Sequence, residues 1–220
     1  MNLIILNKTF GTYINSKEAI FYSLKENSDY EELKKLIIEN NPKNIISIDF
    51  GIQTSKVINN NTIAIGKESI MISSKPIDWS VPRADKWLES SERLNFNICK
   101  MLEENCIQHV IASSAQLKYS QNIKKRKRAI RWIQKKIKVT LIDNNSAEIL
   151  KIIYELNLKN KYTFLRLINN KYQIINHEEN NFFKKIIFYI NSIVFTKFYV
   201  KKILTEINEK KIIIQLSKIN

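Results

Sequence analysis

The apolar run Ile45-Ile46-Ser47-Ile48 ends on Asp49-Phe50-Gly51, and no other stretch limits the fold of this chain so strongly. A short, continuous run of β-branched residues reads as a strand buried on both faces, which requires covering layers on each side. It also carries a carboxylate to the end of a central strand, where hydrophobic walls converge on a crevice. The plainer reading, an Asp and a Gly that simply make a turn, stays open at this stage.

The surrounding pattern predicts an α/β layered domain. Residues 1–43 read as an appendage, with a short apolar strand and then a helix over Ser28–Ile38. Ser28 and Glu31 have capping-box spacing, and Asn40-Asn41-Pro42 ends the element. Thr62–Ile65 and Ser69–Ser73 read as strands separated by Gly66, and with Asn59-Asn60-Asn61 as a turn they make a three-stranded meander with the first strand. Trp87, Leu94, Ile98, Met101 and Leu102 share one helical face within 82–105. Gln108–Ala112 is a strand, Ile123, Ile130, Ile133 and Ile137 mark a helix, and Val139–Ile142 is a strand ending at Asp143. Ser146 opens a helix through Leu156. Tyr162–Ile168 and Tyr172–Ile175 flank a turn as a hairpin, a long apolar helix covers about 181–207, and Lys211–Leu216 reads as a last strand. The implied division is 1–43 appendage, 44–207 main domain and 208–220 tail.

Composition fixes the class of partner to expect. Lys and Arg number 36 against 21 Asp and Glu, a formal net charge of +15, and such an excess commonly meets a polyanion. A general enrichment in Lys, Asn and Ile offers a compositional explanation for part of it. The cations are not evenly spread. Between Asn105 and Ile142 there is no acidic residue, while Lys118, Lys124, Lys125, Arg126, Lys127, Arg128, Arg131, Lys135, Lys136 and Lys138 all fall there. On a helix whose isoleucines face the core, these side chains spread over the outer surface and suit salt-dependent phosphate binding; a merely solvated face is the alternative. Arg131 beside Trp132 adds a stacking candidate, although Trp132 also reads as core.

Other candidates rank lower. His109 reads as a core histidine in a strand, and His177 as an isolated loop residue. Cys99 and Cys106 lie seven apart without zinc-like spacing and read as packing residues, and two cysteines make no disulfide framework, which points to a reducing compartment. No stretch reaches the ~18 uninterrupted apolar residues of a membrane span. The expectation is a soluble cytoplasmic protein with no membrane partner, with a mitochondrial location as the alternative. Glycine-rich phosphate loops and nucleophile-elbow motifs are missing from the sequence.

Ser47-Ile48-Asp49-Phe50-Gly51-Ile52 resembles the opening motif of the Holliday-junction resolvases of poxviruses and yeast mitochondria. Ile77-Asp78-Trp79-Ser80 with Trp87 is similar to the stretch preceding the first long helix in the poxviral proteins. The order of the following elements matches from about Lys43 to Val200. His177-Glu178-Glu179, opening the last long helix, occupies the place of that family's acidic cluster. The resemblance implies a RuvC-like ribonuclease H fold, a mixed sheet flanked by helices. It implies Mg²⁺ held by Asp49, Glu178 and Glu179 for phosphodiester cleavage in branched DNA, and a homodimer. Two departures weaken the cutting chemistry. Ser113 or Ser114 stands where the family has a metal-binding Glu, and Phe182 stands near the place of another acid. Asp143, ending the neighbouring strand, is a substitute carboxylate for the site.

Three readings follow. One is a resolvase-like protein on branched DNA or structured RNA with weakened Mg²⁺-dependent cleavage. A second keeps the fold as an inactive DNA- or RNA-binding or scaffolding module. A third is an actin-like or sugar-kinase fold, which shares the Asp-x-Gly opening but here lacks a second Asp-Gly pair.

Overall fold

The computed structural model describes residues 1–7, 19–24, 30–54, 58–59, 62–72, 86–117, 123–168 and 212–219; within these, only the backbone is described for 123–129 and 213–214. The strands are β1 (Asn2–Asn7), β2 (Ala19–Leu24), β3 (Ile45–Gln53), β4 (Ile63–Ile72), β5 (Leu88–Glu89), β6 (His109–Leu117), β7 (Leu141–Asp143) and β8 (Tyr162–Ile168). The helices are α1 (Tyr30–Asn40), α2 (Glu92–Glu104), α3 (Ile123–Lys136), α4 (Ser146–Glu155) and α5 (Ile212–Lys218).

All eight strands belong to one sheet, ordered β2-β1-β3-β7-β6-β4-β5, with β8 pairing both β3 and β4. That last strand closes a ring. β3 pairs β7, β7 pairs β6, β6 pairs β4, β4 pairs β8, and β8 returns to β3. The sheet is mixed: β3 runs parallel to β1 and β8, and antiparallel to β7. This overturns the expected ribonuclease H-like sheet. The meander fails because β3 and β4 are not neighbours; β8, far along the chain, lies between them. The two strands expected on either side of Gly66 are one strand, β4, whose register with β6 shifts between Gly66 and Glu68. Closing the ring gives most of its strands two partners and leaves fewer open edges.

The segment 1–43 supplies β1 and β2 to this same sheet, and β1 lies along β3 from Ile45 to Ile48. Alternation along β1 explains the layering. Ile4 and Leu6 join Ile98, Met101 and Leu102 of α2 and Ile212 and Leu216 of α5. Leu3 and Ile5 point the other way, to Leu33 and Ile37 of α1 and Ile149, Leu150 and Ile153 of α4. Each fully buried aliphatic side chain contributes roughly 1.5–3 kcal/mol, so helices on both faces are what the two-sided apolar strands require. α2 begins later than its periodicity suggested, capped by Ser91, whose hydroxyl accepts from the Leu94 N–H. Trp87 therefore lies outside it and packs with Ile70, Ile133 and Ile142.

The last element is a helix and not the expected strand. Its end is pinned by asparagines: Asn2 Nδ2 donates to the carbonyls of Leu216, Ser217 and Ile219, and Asn44 Nδ2 donates to that of Ile219. These bonds satisfy C-terminal carbonyls that a short helix leaves open. Residues 73–85 and 169–211, with the Asp78-Trp79-Ser80 stretch, Tyr172–Ile175 and the long apolar helix, lie outside the described residues.

Candidate functional site

A gap in strand pairing makes the site. β1 covers one edge of β3 as far as Ile48, and β8 runs along the opposite edge from Ile45 to Gly51. Ring closure puts β7 across β3 from β8, so β7 takes up the β1 edge again at Ile52 and Gln53, running the other way. The carboxyl ends of β1 and β7 thus approach each other beside Asp49, Phe50 and Gly51. Crevices where strand neighbours diverge are where α/β sheets place ligands. Gly51 is needed for the tight junction: a Cβ there would stand 2.6 Å from Leu141 Cδ1 and 3.0 Å from Arg166 Cβ.

Polar side chains from each element fill this junction. Asn7 ends β1, Asp143 ends β7, Asn145 precedes α4, and Asp49 and Arg166 are register partners in β3 and β8. The Asp49 carboxylate accepts from Asn7 Nδ2 at 2.8 Å, the Phe50 N–H at 2.7 Å and Asn145 Nδ2 at 2.5 Å. Arg166 is completely buried. It donates to Asp143 Oδ2 at 3.0 Å, Asn145 Oδ1 at 2.5 Å, Ser47 Oγ at 3.2 Å and the Leu165 carbonyl at 2.9 Å, and its guanidinium lies 5.0 Å from the centre of the Phe164 ring. A buried cation persists only when it is paired and hydrogen-bonded in this way.

Asp143 is also fully engaged. Besides Arg166 it accepts from Ser114 Oγ, Ser146 Oγ, and the N–H groups of Asn145 and Ser146. The last two are orphan donors at the start of α4, so Asp143 caps the helix from outside it. A second polar knot sits alongside: Gln116 Nε2 donates to Glu148 Oε2, and the Glu148 N–H donates to Gln116 Oε1. Burial, with the Glu148, Asp143 and Asp49 carboxylates nearby, holds the Tyr30 hydroxyl far above the usual phenol range.

Burial dominates the ionisation of Asp49 and pushes it up from 3.8 to about 6, against the opposing pull of Arg166 and the Phe50 N–H. For Arg166, burial works against the charge, and the Asp143 and Asp49 carboxylates more than offset it, raising its pKa. The result is a carboxyl group that changes charge near neutral pH, held in a rigid polar frame.

The structure brings Asp49 and Asp143 into one network, but Asp49 lies in the middle of β3 and not at the strand end expected of it, because the strand continues through Gly51 to Gln53; Asp143 does end β7. Ser114 faces Asp143 as a donor, and Ser113 donates to Glu68 Oε1. Glu178, Glu179, His177 and Lys118 lie outside the described residues. Among the described residues no group of three His, Cys, Asp or Glu side chains could hold a metal ion, and the atoms set around Asp49 are hydrogen-bond donors. The Mg²⁺ expectation therefore rests on Glu178 and Glu179. Lys124, Lys125, Arg126, Lys127 and Arg128 belong to the backbone of α3; Arg131 and Lys135 are exposed further along it, and Trp132 is exposed as well. His109 is half-buried, with Nδ1 3.0 Å from the Ile107 carbonyl. Cys106 lies past the end of α2, exposed and at positive φ, so it does not share a helical face with Cys99.

Asn7, Asn145 and Arg166 were missed in the sequence. For Arg166 there was a signal: a lone cation inside the apolar run Tyr162–Ile168 must be paired if the strand is buried.

No family model matches the chain, and no curated protein does. Solved structures do. A Borrelia burgdorferi protein described as a 5'-methylthioadenosine/S-adenosylhomocysteine nucleosidase, bound to adenine, has a TM-score of 0.64 at 14% identity, covering 97% of this chain and 99% of that one. Futalosine hydrolase of Helicobacter pylori has a TM-score of 0.61 at 12% identity, covering 94% and 98%. The 5'-methylthioadenosine/S-adenosylhomocysteine nucleosidase of Campylobacter jejuni has a TM-score of 0.60 at 11% identity, covering 94% and 99%. These findings overturn the resolvase resemblance and its RuvC-like fold. With it fall the Mg²⁺-dependent endonuclease and the branched DNA or structured RNA partner. Over nearly its whole length the chain has the fold of nucleosidases, a mixed sheet closing into a barrel.

Proposed function

We propose that this chain binds a purine nucleoside beside the Asn7–Asp49–Asn145 row and hydrolyses its N-glycosidic bond. The observation that carries this reading is the row itself, a carboxylate between two amides at the gap between β1 and β7. It is supported by a fold shared with nucleosidases over 97% and 94% of this chain. Asp49 accepts one donor on Oδ2 from Asn145, which leaves that oxygen capacity for a ribose hydroxyl.

In the reaction, water adds to the anomeric carbon as the carbon–nitrogen bond breaks. The hydroxyl stays on the sugar, a proton ends on the departing base, and free base and pentose result. The sugar becomes cationic on the way, and an ionised Asp49 in a buried, preorganised frame stabilises that charge. Asp49 is in this form above its pKa of about 6. Arg166 acts as a positioning residue that, with Asp49, holds the Asn145 amide in a single orientation, since Arg166 takes its oxygen and Asp49 its nitrogen; Asp143 in turn anchors Arg166 and the Asn145 main-chain N–H.

A ligand-binding role without turnover is the second reading, favoured by the three protein donors that Asp49 already holds. Calorimetric titration with adenosine, 5'-methylthioadenosine and S-adenosylhomocysteine, run with a chromatographic assay for free base, separates the two. Binding with base release supports hydrolysis, binding without release selects the second reading, and no binding of any of the three refutes both.

A further inference from the structure

α3 offers a surface unrelated to the polar junction. Ile133 is fully buried, and Ile130 and Ile137 pack against the same cluster. The opposite side carries Arg131, Lys135 and Lys136, all exposed, with Trp132 at 40% exposure. At 3.6 residues per turn these four positions fall within about 140° of arc. Lys138 follows in the left-handed conformation that ends the helix, at φ 58°, and is also exposed. Among the described residues no acidic side chain pairs with any of these cations. No acidic residue occurs between Asn105 and Ile142, and the whole chain carries +15.

We propose that this outer face of α3 is a docking surface for an anionic lipid membrane. A helix with a buried apolar stripe and a cationic outer face is attracted to acidic headgroups, at about 1 kcal/mol per Lys or Arg near the surface. Trp132, exposed beside these cations, suits the headgroup level, where its ring and N–H meet apolar and polar surroundings together. Base stacking by the same indole is the competing outcome that an oligonucleotide reads. The stems of Lys135 and Lys136 can lie along the same boundary with their ammonium groups at the phosphates. Among the described residues no helix is long and apolar enough to cross a membrane, so attachment through α3 is peripheral.

Co-sedimentation of the full chain with vesicles tests this. One set is phosphatidylcholine alone and the other contains phosphatidylserine, each at low and high salt. The expected result is binding to the phosphatidylserine vesicles only, weakening with salt. Trp emission should shift to the blue on binding, and the shift should be absent in Trp132→Phe. The variant Arg131→Gln/Lys135→Gln/Lys136→Gln, all at exposed positions, should keep the wild-type circular dichroism and lose roughly a hundredfold in vesicle affinity. Equal binding to neutral vesicles, an unchanged affinity in the triple variant, or tight binding of a duplex oligonucleotide with no vesicle binding would each overturn the proposal.

Discussion

Asp49 and Arg166 are register partners on adjacent parallel strands, and each holds one side of the Asn145 amide, the carboxylate its nitrogen and the guanidinium its oxygen. The polarity of the amide is thereby set from both sides. A row of hydrogen bonds runs from the buried cation through an uncharged residue to the carboxylate, and the entry to α4 is anchored by Asp143 at the same junction.

Removing the cation should be costly. Arg166→Met leaves Asp143 buried with its hydroxyl and N–H donors but no counter-charge, and breaking such a pair costs about 3–5 kcal/mol. Adding Asp143→Asn to that variant should recover part of the loss, because a neutral amide suits the emptied site better. Urea unfolding of the two single variants and the double variant measures the coupling. Purely additive losses would mean that the two residues do not act as a pair.

The pH dependence of stability has a definite sign. Asp49 titrates at about 6 in the folded chain against an ordinary 3.8, so the folded state holds its proton more tightly than the unfolded one. The contribution is therefore fully present below the unfolded value and is lost as pH rises through about 6, by on the order of 3 kcal/mol. In Asp49→Asn that dependence is absent. Between pH 4 and 7 the variant should gain stability relative to wild type by about that amount, although an amide cannot accept from all three donors that Asp49 serves. Parallel stability curves for the two proteins would contradict the burial argument.

Gly66 is the second glycine the fold depends on. A Cβ there would overlap the Phe164 ring, at the point where β4 shifts register against β6. Gly66→Ala should cost at least 1–3 kcal/mol, the usual penalty of overpacking, and Phe164→Leu in the same chain should restore part of it. Thermal melts of the three proteins decide; a Gly66→Ala variant as stable as wild type would contradict the close packing.

Local structure was legible where periodicity was strong. β7, α4 and β8 stand close to where their apolar spacing placed them, because the buried faces of those elements are set by residues near in sequence, whereas β3 runs on past the expected end at Asp49 to Gln53. What the pattern could not supply was pairing. β8 joins β3 to β4 across more than a hundred residues, and a strand run looks the same whether the sheet is open or closed. The resolvase resemblance failed for that reason: a strand, an Asp and a Gly occur in many α/β sheets. Asp49 and Asp143 were noticed because each ends an apolar run. Asn7 and Asn145 were not, because an asparagine at the end of an element usually reads as a turn or cap, and its partners lie on other strands.

Free-base release from 5'-methylthioadenosine, S-adenosylhomocysteine and adenosine, followed at pH 7.5 (roughly 1.5 units above the Asp49 value) for wild type and Asp49→Asn, bears most directly on the proposed chemistry. The account predicts release by wild type that declines as pH falls through about 6, and a loss of about a hundredfold or more in the variant, the usual scale for removing one preorganised electrostatic group. Equal turnover by a folded Asp49→Asn protein, or no turnover and no nucleoside binding by wild type, would contradict it.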